Sequence, residues 1–470
     1  MEIKTTPLLT TTLCFAFSSL SLAASADNTP LTTPQTYQAL SSNHTALTLN
    51  TALDLKSTIH LALERNPDIH ITQQRIALAQ SQVQESLAAF YPQVKGQISY
   101  DYSNNPAQVF AMIVAQRDFQ PSNITTINTP GGRTNFRPEI TANISLFNGG
   151  QDYYRYKSAQ LGVEISELES STIHNNLIQM VTDNYYALLV AKENRLIALR
   201  SKDAVNRELK NAEIRFQAGT VLKSDVLSLR VRHANTVEWV IQATNGIEMA
   251  KAGLRTLLDL NSFSPIKTIE QDDTHLPSPP KSINDALISA EANRPEIQMA
   301  TKQVKIHEQQ VKIAQGAHLP RVNAYVSYGA NSQNGSINSN QDNVSTGISL
   351  EMDLFSGFAT QQRIQQAKMR LKEARLQAQK IQLQIHQEVN NTYLALMEAL
   401  QRHKVSTTSV IAADEAFRLV TAQFQAGTAT VTRYIEAEVA RDQAEARTIA
   451  ARFDTLRAYA ALQRVTGTWN

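Results

Sequence analysis

One string of five residues, Phe-Gln-Ala-Gly-Thr, occurs twice in the chain, at 216–220 and 424–428. It belongs to a longer set of matches. Leu146, Phe147 and Gly149 return as Leu354, Phe355 and Gly357, and Tyr185 and Ala187 return as Tyr393 and Ala395, all displaced by 208 positions. Upstream, Pro67, Pro92, Val94, Ser99 and Tyr100 return as Pro295, Pro320, Val322, Ser327 and Tyr328, displaced by 228. The two displacements differ by 20 residues, so the first copy carries a connection longer by that much between Tyr100 and Leu146. A period of this length marks a duplicated structural unit and not a short solenoid module. Whatever one half folds into, the other half must fold into as well.

Lys4, an apolar stretch over 8–22 and Ala-Ser-Ala at 24–26 have the order of a secretory signal, which predicts a mature chain starting near Asp27. Cys14, the only cysteine, lies inside that signal. The exported chain therefore has none, which excludes disulfides, thiol catalysis and cysteine-based metal sites. The ten histidines are scattered, with no H-E-x-x-H, and neither a phosphate loop nor a G-x-S-x-G is present. No metal, no cofactor and no enzyme activity are expected. With 44 basic and 42 acidic residues the chain has no polybasic footprint, so nucleic acid is not expected as a partner.

Within each copy the hydrophobic period changes once. Over 55–90 and 283–317 apolar residues recur at helical spacing, interrupted at Pro67 and Pro295 and stopped by Pro92 and Pro320. Directly afterwards the period becomes 2. Val94, Gly96, Ile98, Tyr100 and Tyr102 alternate with Lys95, Gln97, Ser99 and Asp101, and a second run places Ile140, Ala142, Ile144 and Leu146 against polar neighbours. The second copy repeats this with Val322, Ala324, Val326 and Tyr328, then with Val344, Thr346, Ile348, Leu350, Met352 and Leu354. Strands are expected at about 94–103 and 138–147 in one copy and 322–329 and 344–355 in the other. The longer first connection, with Phe110, Met112 and Phe119, is expected to fold over one end of the sheet.

After each strand pair the helical period returns. Residues 359–426 contain neither glycine nor proline, and their counterpart, 151–218, is interrupted only by Gly162. A helix of that length is on the order of 100 Å long. Ile364, Ala367, Leu371, Ala374, Ala378, Ile381 and Ile385 step by three and four, the seam of a close-packed coiled coil. Gly219 and Gly427 end these helices, and shorter helical runs return over 224–260 and 430–466. The expected organisation is a signal (1–26), an extended arm (27–54), repeat 1 (55–260), an exposed linker (261–282) and repeat 2 (283–467).

No later segment approaches the roughly 18 apolar residues of a transmembrane helix. Strands apolar on one face and polar on the other suit a bilayer-spanning barrel around water. Four strands cannot close one, because closed membrane barrels need about eight or more, so such a chain must share its barrel with other copies.

From about 53 to 467 the chain resembles the TolC family of outer-membrane ducts in the order of its repeats, its Leu-Phe-(Asn/Ser)-Gly strand ends and its Phe-Gln-Ala-Gly-Thr turns. The resemblance implies a mainly α fold with a membrane β-barrel portion. Three copies would form a twelve-stranded barrel in the outer membrane, continued by an α-helical barrel across the periplasm. It implies a periplasmic adaptor and an inner-membrane pump as partners, with lipid around the strands and passive export of small molecules as the function. A duct for type I protein secretion shares these features, and a soluble periplasmic adaptor or scaffold is the remaining alternative. Adaptors usually carry one helical hairpin, whereas this chain carries two.

In that family the two turns form the periplasmic tip, where adaptors dock. Ala218, Gly219, Thr220, Ala426, Gly427 and Thr428 match those docking positions. Glycine admits a close backbone there, and it equally suits a left-handed helix end. For the constriction of the closed tunnel, Asp225 matches an acid of the first hairpin, Phe424 an aromatic of the second turn, and Glu436 the inner of two acidic positions. Arg433 stands where the outer acid is expected, a departure that implies ion pairs between copies instead of a purely acidic ring. The plainer alternative has Asp225 and Glu436 favouring the first turns of their helices through the dipole, with Arg433 in water.

Overall fold

The computed structural model describes residues 52–262, 264–269, 276, 278–336 and 340–469. The expected signal, the arm up to residue 51, and residues 263, 270–275 and 277 of the expected linker lie outside the described residues. In chain order the elements are α1 (Leu55–Arg65), α2 (Pro67–Leu87), β1 (Gln93–Ser103), α3 (Pro106–Ala115), β2 (Arg133–Asn148), α4 (Gln151–Gln217), α5 (Lys223–Leu257), α6 (Ile283–Asn293), α7 (Pro295–Gly316), β3 (Arg321–Ala330), β4 (Asp342–Glu351), α8 (Ala359–Gln425) and α9 (Val431–Thr466).

Prolines set the first boundaries. Asn66, held extended at φ −61° and ψ 128° by the proline after it, ends α1, and Pro67 opens α2 where no backbone donor is required. Arg294 (φ −68°, ψ 122°) and Pro295 divide α6 from α7 in the same way.

The four strands form one antiparallel sheet in the order β1-β2-β3-β4. Its register stacks the apolar positions into rows. Gly96, Ile140, Tyr328 and Val344 lie opposite one another, as do Ile144, Ala324 and Ile348. The other face carries the row Lys95, Thr141, Ser327 and Ser345. Val94, Ile98, Ile140, Val326, Val344, Ile348 and Leu350 are all exposed. In a soluble one-sided sheet that apolar face would be the core; here, among the described residues, no core covers it.

Two strands differ from the expected spans. β2 runs longer at both ends, and its pairing with β3 shifts between Ser145 and Phe147, so that Phe147 joins the row of Val322 and Leu350. Simple alternation assigns only Leu146 to that face, but the bulge leaves Leu146 and Phe147 both exposed. β4 stops at Glu351 and does not reach 355. Its partner strand begins at Arg321, directly after Pro320, so the chain beyond Glu351 has no strand to pair with. Leu354 therefore lies outside the sheet.

α4 and α8 have 67 residues each. Each packs against the shorter helix that follows it, α4 with α5 and α8 with α9, and α4 also packs on α2, α7 and α9. The seven expected seam positions of α8 are all at least partly shielded, with Ile385 buried, while Met369, Leu376 and Leu383 on another face are exposed. The expected linker is not wholly exposed. Leu53 bridges Thr268 in parallel, the Tyr185 hydroxyl donates to the Ile269 carbonyl at 2.8 Å, and Ile266 is buried with Leu188 and Leu254. Ile266 supplies an apolar side chain that the gap between α4 and α5 takes up.

Candidate functional site

The two Phe-Gln-Ala-Gly-Thr strings end α4 and α8 with one geometry. Gly219 (φ +72°) donates to the Phe216 carbonyl at 2.9 Å, and Thr220 N donates to the Arg215 carbonyl at 2.9 Å. Gly427 (φ +78°) and Thr428 repeat these bonds to Phe424 (3.1 Å) and Gln423 (2.9 Å). This crossed pair is the Schellman arrangement, which requires a left-handed residue where each glycine stands. The Thr220 and Thr428 hydroxyls add bonds of 2.9 and 3.0 Å to the same Arg215 and Gln423 carbonyls. Ala218, Gly219, Thr220, Ala426, Gly427 and Thr428 are all exposed. A Cβ on either glycine would meet nothing within 4 Å, so the backbone conformation alone demands glycine.

The two ends lie together. Leu209, Ala212, Val226 and Leu229 of the first hairpin share one core cluster with Val420, Phe424, Val431 and Tyr434 of the second. Phe424, expected at the constriction, is buried in that cluster with its ring centroid 5.1 Å from that of Tyr434, while its counterpart Phe216 is exposed. Phe424 therefore packs the tip from within the chain. Asp225 stands in the first turn of α5, where its carboxylate accepts from Leu222 N at 3.4 Å. Arg433 and Glu436 are both exposed in the first turns of α9, and among the described residues neither side chain forms an ion pair within the chain. Arg433 N is bonded to the Thr430 hydroxyl that caps the helix (3.3 Å).

Just above this end lies a charged cluster that the sequence reading missed. Glu438 is fully buried. It accepts from Ser201 Oγ of α4 (2.6 Å) and from Arg232 Nε of α5 (2.7 Å). Asp442, one turn on, accepts from Arg441 Nη2 at 2.6 Å, and Arg232 Nη2 lies 3.5 Å away. The Arg441 guanidinium stacks on Phe417 of α8 at 4.4 Å. Burial pushes the Glu438 carboxyl above its ordinary range, with the neighbouring Asp442 adding to the effect against Arg232 and Ser201. Burial, then Glu438 and Glu208, push the Tyr434 hydroxyl up to about 12. The cluster ties α9 to α4 and α5, one hairpin to the other. A signal for it existed: Val431, Tyr434, Glu438 and Asp442 step by three and four, so two acids occupy positions of the buried stripe.

A sheet with an uncovered apolar face, joined to two helices about 100 Å long, each packed on a shorter one, defines a class: a membrane-seated protein with a long helical extension into water. The chain belongs to the outer membrane efflux protein family, which matches it over residues 58–259 and 286–468. It is 20% identical over 435 residues to outer membrane protein TolC of Salmonella enteritidis, covering 90% of this chain and 84% of that one. It is 22% identical over 429 residues to outer membrane efflux protein BepC of Brucella suis biovar 1, covering 90% and 88%. Its fold matches that of the Campylobacter jejuni CmeC outer membrane channel with a TM-score of 0.72 at 16% identity, over 88% of this chain and 85% of that one. The protein is thus an outer-membrane protein whose helices lie in the periplasm.

Proposed function

We propose that three copies of the chain close a twelve-stranded barrel and a helical tunnel beneath it, forming the passive exit duct of a tripartite efflux system for small molecules. The observation that carries this reading is a seam made once within the chain and left open once. Inside the chain β2 pairs with β3, α4 packs on α7, and a Cβ on Gly149 would lie 2.1 Å from the Gly316 carbonyl oxygen. By the displacements of the duplication, the corresponding partners are β4 with β1, α8 with α2, and Gly357 with Ala88. These stand apart. β1 and β4 are the sheet edges, and a Cβ on Gly357 would meet nothing within 4 Å. Exposed apolar residues seven apart line both helices, Met369, Leu376 and Leu383 on α8, and Ile71 and Leu78 on α2. Open strand edges in lipid cost several kcal/mol per backbone group, and a neighbouring copy satisfies them.

The exposed turns at Ala218–Gly219–Thr220 and Ala426–Gly427–Thr428 are the surface offered to a periplasmic adaptor, which links the duct to an inner-membrane pump. Asp225, Arg433 and Glu436, left without ion pairs to one another in one chain, are placed to meet across copies and hold the tip closed. The test is a single cysteine at Gln425, carrying a photo-crosslinker in the native cell. Capture of an adaptor that works with a proton-driven pump is expected. An adaptor paired with an ATP-driven exporter would assign the duct to protein secretion, and capture of nothing periplasmic would overturn the docking assignment.

A further inference from the structure

The connection between β1 and β2, 29 residues against 11 between β3 and β4, is an ordered strap and not a free loop. α3 carries no charged residue and has two apolar faces: Val109 and Ile113 are buried, while Phe110 and Val114 are open, with Phe119 edge-on to Phe110 at 5.8 Å. Polar contacts fix where the strap lies. Ser103 Oγ at the end of β1 donates to Gln108 Oε1 at 2.6 Å. Gln116, itself buried, donates to the Thr134 carbonyl (2.8 Å) and to Asn135 Oδ1 (2.9 Å), and accepts from Arg133 Nε (2.7 Å). Gln341 Nε2 donates to the Gln116 carbonyl (3.2 Å) and Arg117 Nη2 to the Asp342 carbonyl (3.0 Å). Ser103 pairs with Arg133 and Asp101 with Asn135, so these side chains share the face of Lys95, Gln97 and Glu139. The strap therefore crosses from β1 to the start of β4 on the polar side of the sheet.

We propose that α3 and Phe119 form an apolar collar inside the outer mouth of the duct. The inference rests on the barrel reading above, in which the apolar face meets lipid and the polar face meets the lumen. An apolar helix on the water side leaves Phe110 and Val114 facing the passage, and three copies would surround it with such ridges. Apolar constrictions in water-filled pores hold back hydrated solutes by dewetting. The collar would thus pass outgoing molecules that carry apolar surface and retard polar solutes from outside. The strap is additional to closure, since the edges of β1 and β4 are free with or without it.

The test uses the full-length protein in vesicles, with a fluorophore on Val114→Cys and, separately, on Ile140→Cys of the apolar face. Aqueous iodide should quench the probe at 114 and brominated lipid should not, with the reverse at 140. In planar bilayers, in an Arg433→Ala, Glu436→Gln background in which the tip no longer limits the current, a bulky maleimide on Val114→Cys should lower conductance by about half or more, and the triple variant Phe110→Ser, Val114→Ser, Phe119→Ser should raise it several-fold. Lipid quenching at 114, or unchanged current after complete labelling, would overturn the collar while leaving the barrel intact. Absence of lipid quenching at 140 would instead overturn the barrel reading, and the collar with it.

Discussion

Arg232→Ala removes the cation between the two hairpins and leaves the carboxylate of Glu438 fully buried with only the Ser201 hydroxyl as donor. Asp442 keeps Arg441 and suffers less. Breaking a buried pair by deleting one partner costs about 3–5 kcal/mol, because a desolvated charge stays behind. The loss should be local, in the hold of α9 on α4 and α5. Amide hydrogen exchange over 434–445, expressed as protection factors in the detergent-solubilised protein, should accelerate on the order of a hundred- to a thousandfold. Replacing both partners, Arg232→Met with Glu438→Leu, should return protection to within about tenfold of the natural chain, since apolar side chains of similar volume carry no desolvation debt. The pH dependence has a definite sign. A carboxyl whose folded pKa is raised holds a proton in the folded state where the unfolded chain has lost it. Its contribution therefore falls as pH rises from 4.5 through the folded value, and acid should narrow the difference between Arg232→Ala and the natural chain. Equal protection in Arg232→Ala and the natural chain at neutral pH, or a double variant as labile as the single one, would refute the clamp.

Two further outcomes are expected. Glu388 of α8 accepts from Arg294 and Arg464, each at 2.5 Å; burial pushes its carboxyl up, but these bonds and charges outweigh it and hold it below the usual range. Stability from a depressed carboxylate is present above its unfolded pKa and lost as pH falls through the folded one, so the urea midpoint should drop more steeply below pH 4.5 in the natural protein than in Glu388→Gln. At the tip, Arg433→Ala and Glu436→Gln should each raise single-channel conductance if ion pairs across copies hold it closed; unchanged conductance in both would reject those pairs.

Much of the fold is legible because its signals are local. The change of period at Pro92 and Pro320 marks the passage from helix to strand, the three-and-four steps from Ile364 to Ile385 give the seam of α8, and the two Phe-Gln-Ala-Gly-Thr strings give the Schellman ends. What escaped depends on distant partners. Where β4 stops is decided by Pro320, just before its partner strand, and the bulge between Ser145 and Phe147 exists only in the pairing with β3. Phe216 and Phe424 occupy the same place in identical strings, yet only Phe424 is buried. The position matching its ring partner Tyr434 is Val226 in the first copy, so no equivalent stack is available to Phe216.

The same asymmetry accounts for the clamp. By the 208-residue displacement, Glu438 corresponds to Arg230, Arg232 to Ala440 and Ser201 to Ser409, which is exposed. Arg230 turns instead to Glu213 in its own hairpin at 2.8 Å. The first copy has an arginine where the second has the buried acid, and the second has an alanine where the first has the cation, so the pair forms once between the copies and not again with the roles exchanged. Divergence at these few positions gives one hairpin the buried acid and the other the cation that meets it. The shared pattern builds two similar hairpins, and the differences between them fix how the second is held against the first. Any motion that carries α9 away from α4 and α5 must break Glu438 from Arg232 and Ser201, which places resistance to it in this buried contact in addition to the ion pairs proposed across copies.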